Sequence, residues 1–163
     1  ADTGIGPLVD PAAVDKVDRQ VQDALEKGAT LVTGGRRLTE NGLDNGNFYA
    51  PTILSGVTPQ MRIYREETFG PVAPVVLYDN EADLLAMAND THYGLAAYVY
   101  TRELATAMRL FEGLDFGIIG INDINPTAAA APFGGMKESG LGREGASEGI
   151  FEYLDTKCGG FAI

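Results

Sequence analysis

One cysteine and one histidine in 163 residues leave little material for two common kinds of chemistry. Cys158 alone cannot build an internal disulfide framework, and such sparse cysteine fits a reducing compartment, so a cytoplasmic location is expected. With His92 as the only imidazole, the Cys and His ligands of a usual structural zinc site cannot be assembled, and no metal site is expected. Basic residues are also scarce. Twelve Lys and Arg stand against 23 Asp and Glu, a net charge of −11. Such a surface repels phosphate backbones, which argues against nucleic acid as a partner. No apolar run approaches the roughly 18 residues of a membrane helix, so no membrane partner is expected either. The opening Ala1-Asp2-Thr3-Gly4-Ile5-Gly6 has neither an initiator Met nor the pattern of a signal peptide, and is expected to continue from preceding sequence.

What is present is ordinary for a folded domain: 45% hydrophobic and 21% charged residues. The length is that of one domain, enough to bury a sizeable core. Asp10-Pro11 predicts a helix start, with Asp as N-cap and Pro at the first helical position. Val14, Val17, Val21 and Leu25 then recur at helical spacing up to a stop at Gly28. Residues 29–33 predict a short strand, 36–47 a surface loop, and 48–57 extended chain with Pro51 at an edge or irregular point. Residues 72–78 are apolar and β-branched and predict a buried strand. A helix over 80–89, capped by Asp79 or Asn80, should bury Leu84, Leu85 and Met87 or Ala88. Residues 95–101 predict a strand. The helix over 102–113 should turn Leu104, Ala107, Met108 and Phe111 inward. Residues 117–122 predict a short strand covered on both faces. This alternation argues for an α/β fold with helices layered on a mostly parallel sheet. The glycine-rich span 134–145 should lead into a short helix near 144–151, and the last segment has extended character with no partner in the chain.

Two segments carry the chemistry: Glu66-Glu67-Thr68-Phe69-Gly70-Pro71-Val72, and Ala131-Pro132-Phe133-Gly134-Gly135-Met136-Lys137-Glu138-Ser139-Gly140-Leu141-Gly142-Arg143-Glu144-Gly145. Taken alone, the first is a solvated acidic pair before a Gly-Pro turn. The Phe of the second reads as a core aromatic where a loop enters a strand. Gly140-Leu141-Gly142-Arg143 lacks the preceding strand, spacing and lysine of a phosphate loop and reads as a turn.

Together, in this order and at this separation, the two segments closely resemble those of the aldehyde dehydrogenase superfamily, nearest to its succinate-semialdehyde dehydrogenase-like members. The likeness runs from Gly6-Pro7-Leu8 to Tyr153-Leu154-Asp155-Thr156-Lys157. It implies that residues 1–150 are the C-terminal portion of the catalytic domain and 151–163 an oligomerisation arm that adds a strand to a neighbouring subunit. The nucleotide-binding domain, the catalytic cysteine and the general base would precede residue 1. The implied reaction oxidises an aldehyde with NAD or NADP, through a thioester that a glutamate-activated water hydrolyses to the acid.

The resemblance also assigns residues. Glu67 would accept hydrogen bonds from the ribose of the cofactor's nicotinamide half, with Phe69 packed near the ring; such charge-assisted bonds are strong. Thr68 departs mildly from the Ile or Leu common there. Phe133 would line the tunnel beside the catalytic thiol. Thr127, in Asn122-Asp123-Ile124-Asn125-Pro126-Thr127, would help hold a substrate carboxylate, or is simply a turn residue after Asn-Pro. Arg143 and Asp155 would pair as structural support. Cys158, in the terminal extended segment with Lys157 as its only charged immediate neighbour, has neither a His nor a helix N-terminus beside it in the sequence and reads as structural. His92 sits in a scaffold loop.

The expected partners are a small aldehyde, with succinate semialdehyde or a similar semialdehyde foremost, and further copies of the parent chain in a homodimer or homotetramer. The 163 residues alone are expected to be inactive. A non-catalytic oligomerisation or binding module derived from the same fold remains the alternative.

Overall fold

The structure, a computed structural model, describes residues 4–162. Ala1, Asp2 and Thr3 of the opening segment, and Ile163 at the end of the expected arm, lie outside the described residues. The chain divides into two compact units, up to Tyr78 and from Asp79 onward. Both mix helices and strands, as the α/β expectation required.

In the first unit, helix α1 (Pro11–Glu26) begins where expected: the Asp10 carboxylate accepts the Ala13 N–H at 2.7 Å, and Pro11 takes the first turn. It ends in a Schellman motif. The Ala29 and Gly28 N–H groups donate to the carbonyls of Ala24 and Leu25, which the positive φ of Gly28 (97°) permits. Strand β1 (Thr30–Thr33) pairs antiparallel with β2 (Thr52–Ser55), and β2 pairs parallel with β3 (Val72–Val75). Val14, Val17, Val21 and Ala24 of α1 share a core with Tyr49, Leu54, Val57, Met61 and Ile63. Leu25, expected in that stripe, is only partly buried; Gln20 lies fully within it.

The segment from Val72 is not a buried strand, because β3 stops at Val75 and forms the sheet edge, where Pro74 has no N–H to offer a further strand. Ala73, Pro74, Val75, Leu77 and Tyr78 are exposed in consequence. A short helix α2 (Arg62–Arg65), which the sequence pattern did not announce, precedes the first chemical segment.

In the second unit, α3 (Glu81–Asn89) starts on Asn80, whose side chain accepts the Asp83 N–H at 3.0 Å. Leu84, Leu85, Met87 and Ala88 are half-buried rather than enclosed. Strand β4 (Tyr93–Gly94) is followed by β5 (Ala96–Val99), α4 (Leu104–Gly113), β6 (Ile118–Ile121) and β7 (Met136–Lys137). β5 and β6 are parallel neighbours, while β4 pairs antiparallel with β7. On β6 only Gly120 is buried, so neither face has the full cover expected. α4 is rotated from expectation. Ala107 and Leu110 are buried, whereas Leu104, Met108 and Phe111 stand 77%, 48% and 50% exposed. The apolar residues of α4 wrap around more than one face, and the pattern alone could not say which face a neighbour would cover. A 3-10 helix spans Glu148–Tyr153. Beyond it, residues 154–162 are exposed and form no strand pairing.

Candidate functional site

The candidate residues fall into two groups, one in each unit. In the first unit, Glu66 to Val72 runs from the end of α2 into β3, and α1 anchors its start. The Asp23 carboxylate of α1 accepts the Arg62 N–H at 2.8 Å, doing the work of a missing N-cap on α2, and also pairs with Lys27 at 2.6 Å. The Arg62 N–H and then Lys27 hold Asp23 below its ordinary pKa. Glu66 is tied back as well: Arg62 donates to its carboxylate at 3.4 Å, and the Gln20 amide lies 3.5 Å from both its carbonyl and its Oε2.

Glu67 is the contrast. Its side chain is exposed and its carboxylate has no partner among the described residues. Phe69 is 78% exposed and adopts φ = 45°, a left-handed conformation that is unusual for a bulky side chain. Gly70 is required next to it, since a Cβ there would lie 2.5 Å from Val17 Cγ2. Pro71 hands its carbonyl to the Thr52 N–H of β2 at 2.8 Å. An exposed carboxylate and an exposed ring two positions apart, on a segment fixed at both ends, suit a ligand that offers hydroxyls and an aromatic heterocycle.

In the second unit, Phe133 bridges to Glu144 through paired backbone hydrogen bonds of 2.8 and 2.7 Å. The bridge folds the glycine-rich span around a cavity of about 730 Å³, lined by Phe133, Ser139, Leu141, Arg143, Glu152 and Tyr153 among others. Phe133 is 40% exposed, so it is neither an enclosed core aromatic nor fully free. Arg143 Nη1 donates to the carbonyls of Gly135 and Gly142 at 2.9 and 2.6 Å. The expected ion pair with Asp155 is absent among the described residues. Arg143 serves instead as a staple for the glycine turns, whose carbonyls need donors, and Asp155 is exposed beyond the 3-10 helix.

Thr127 is exposed and does not line this cavity; its hydroxyl donates to Asn125 Oδ1 at 2.9 Å, as in the turn reading. His92 is exposed and contributes only its carbonyl, which accepts the Glu138 N–H at 2.9 Å. Cys158 is exposed and free. Among the described residues no cluster of His, Cys, Asp and Glu could hold a metal ion, and no helix is long and apolar enough to cross a membrane. Asp23 and Gln20 of α1 were not singled out from the sequence. The available signal was positional, since a Gln three residues after Val17 falls inside the apolar stripe.

Comparison with known proteins places these two segments in context. The chain matches the aldehyde dehydrogenase family over residues 1–158. It is 52% identical over 153 residues to the succinate-semialdehyde dehydrogenase [NADP(+)] of Escherichia coli K12, covering 94% of this chain and 31% of that protein. It is 46% identical over 157 residues to a non-phosphorylating aspartate-semialdehyde dehydrogenase of Halomonas elongata, covering 96% of this chain and 31% of that one. The crystal structure of betaine aldehyde dehydrogenase from Staphylococcus aureus in complex with NAD+ superposes with a TM-score of 0.89 at 39% identity, over 96% of this chain and 31% of that one. The chain thus spans about a third of the length of the relatives it matches.

Proposed function

Because the chain belongs to the aldehyde dehydrogenase family, we propose that it forms the cofactor-clamping and substrate-lining part of a longer NAD(P)-dependent enzyme that oxidises an aldehyde to its acid. The observation that carries the reading is Glu67, an exposed carboxylate with no partner among the described residues, two positions before the exposed ring of Phe69. When bound, the nicotinamide group supplies the hydride acceptor. Glu67 would accept hydrogen bonds from the two ribose hydroxyls and fix the sugar. Phe69, held in its left-handed conformation, would pack near the nicotinamide ring. Phe133 lines the approach of the aldehyde, and Arg143 holds the glycine turns around it. The thiol nucleophile and the base come from sequence outside these 163 residues, so the isolated chain does no dehydrogenase chemistry.

Succinate semialdehyde or a similar semialdehyde is the proposed substrate. Relatives named for semialdehyde substrates stand at 52% and 46% identity, and Thr127 has a hydroxyl that could turn from Asn125 to a carboxylate. Residues 151–163 are proposed as an arm for a homodimer or homotetramer. Residues 154–162 are exposed and unpaired, a state that favours strand addition to another copy.

The test is Glu67→Gln in the longer enzyme. Loss of the charge should raise the KM for the dinucleotide by about tenfold, as expected for a charge-assisted bond, with a smaller change in aldehyde KM. An unchanged dinucleotide KM would remove Glu67 from the cofactor site. Reduction of NAD(P)+ by the purified 163-residue chain with an aldehyde would overturn the division of labour proposed here.

A further inference from the structure

Helix α1 holds a polar group at a place where an apolar one would be cheaper. Gln20 is 1% exposed, and its Oε1 has no hydrogen-bond partner. An unsatisfied buried amide oxygen costs stability. The amide cannot simply be turned over to cure this. The atoms it faces are the Glu66 carbonyl and the Glu66 carboxylate, each 3.5 Å from Nε2. Both are acceptors, so only the nitrogen can point at them, and Oε1 is left toward the core. Around Gln20 the stripe is otherwise apolar: Val14, Val17, Val21 and Ala24 are all buried.

Gln20 and Val17 lie three residues apart on one face of α1 and touch opposite ends of the same five-residue segment. Gln20 reaches Glu66 at its start. Val17 closes on Gly70 at its end, where any side chain would collide. Between these two points stand Glu67 and Phe69, the latter in a backbone conformation that a bulky residue does not keep unless its neighbours hold it.

We propose that Gln20 is a positioning residue: its buried amide fixes Glu66 so that the adjoining Glu67 carboxylate and the left-handed Phe69 are aimed at the nicotinamide ribose before the cofactor arrives. The inference rests on the ribose-clamp reading of Glu67. Gln20 itself touches no cofactor and acts only through the segment it holds. The two acceptor contacts are long, so their value lies in direction rather than strength. Stability is given up for geometry.

The consequence is a dissociation of stability from function. Gln20→Met keeps the side-chain volume and deletes the orphaned oxygen. In the longer enzyme it should melt at the same temperature as the parent or higher, while the KM for the dinucleotide rises roughly 3- to 30-fold with aldehyde KM little changed. Gln20→Leu serves as a second apolar replacement. The same substitution on a Glu67→Gln background should add almost nothing, because the carboxylate to be aimed has lost its charge; independent effects would multiply instead.

Three results overturn the proposal. One is an unchanged dinucleotide KM in folded Gln20→Met and Gln20→Leu, with Glu67→Gln impaired. Another is a full multiplicative effect in the double variant. The third is unfolding of both replacements, which would make the amide a core-holding group. If Glu67→Gln alone leaves dinucleotide KM unchanged, the clamp reading fails first, and the proposal about Gln20 falls with it.

Discussion

Arg109 meets Glu81 with two parallel hydrogen bonds, Nε to Oε1 at 2.6 Å and Nη2 to Oε2 at 2.8 Å, joining α4 to the first turn of α3. This fork-on-fork geometry is the strong form of an ion pair. The Arg109 bonds hold the Glu81 carboxyl below its ordinary pKa of 4.5. A carboxyl with a lowered pKa in the folded state contributes stability above its unfolded value and loses it as pH falls through the folded one. Thermal unfolding of the parent and Glu81→Gln should therefore differ at neutral pH, and the difference should shrink as pH drops below 4.5. A gap that stays constant to strongly acid pH would show that the pair contributes nothing through its charge.

Tyr49 is 4% exposed and donates its hydroxyl to Asp18 Oδ1 at 3.0 Å. Burial, and then Asp18, push its phenol well above the ordinary value of 10.0. The sign is opposite to that of Glu81: this contribution is complete below pH 10 and disappears as pH rises beyond it. Spectrophotometric titration should show a phenol that ionises only with unfolding, and that phenol should be missing from Tyr49→Phe. The substitution should cost about 1 kcal/mol at neutral pH. Titration curves that are the same for the parent and Tyr49→Phe, apart from one normally titrating phenol, would refute the assignment.

Gly117 has no room for a side chain, since a Cβ there would run into the Gly134 carbonyl and the Gly135 Cα. Backbone cannot yield as a side-chain tip can. Gly117→Ala should destabilise by about 1–3 kcal/mol and disturb the turn that carries Phe133. Gly4→Ala, at a position with open space around it, is the matched control. Equal melting temperatures for the two variants would contradict the packing described.

Cys158 is exposed and beyond the last helical turn. Cys158→Ser in the longer enzyme should leave kcat and both KM values within experimental error. A loss of turnover approaching the uncatalysed rate would make Cys158 a nucleophile and displace the functional reading given above.

How far the sequence could be read depended on whether a feature is local. The α1 start at Asp10-Pro11 and its Gly28 stop were legible because caps and left-handed turns are set by residues within a few positions of each other. The Glu66–Val72 segment was legible as a turn before a strand because Gly70-Pro71 and the β-branched residue after it act locally. The inward face of α4 was not. Leu104, Met108 and Phe111 match the helical period as well as Ala107 and Leu110 do, and only the packed neighbours chose between them. Arg143 was given the wrong partner for a similar reason. Charge suggested Asp155, whereas the carbonyls of Gly135 and Gly142, invisible in a residue string, needed its donors more.

From its sequence alone, this chain's acidic character, its α/β alternation and its first helix were determined, all of them consequences of composition and short-range stereochemistry. Tertiary structure decided that β3 is an edge, that Glu66 is tied down while Glu67 has no partner among the described residues, and that a glutamine rather than a valine stands behind Glu66. Those outcomes depend on which surfaces meet across dozens of residues, and burial and hydrogen-bond satisfaction are settled only when the backbone has closed around them.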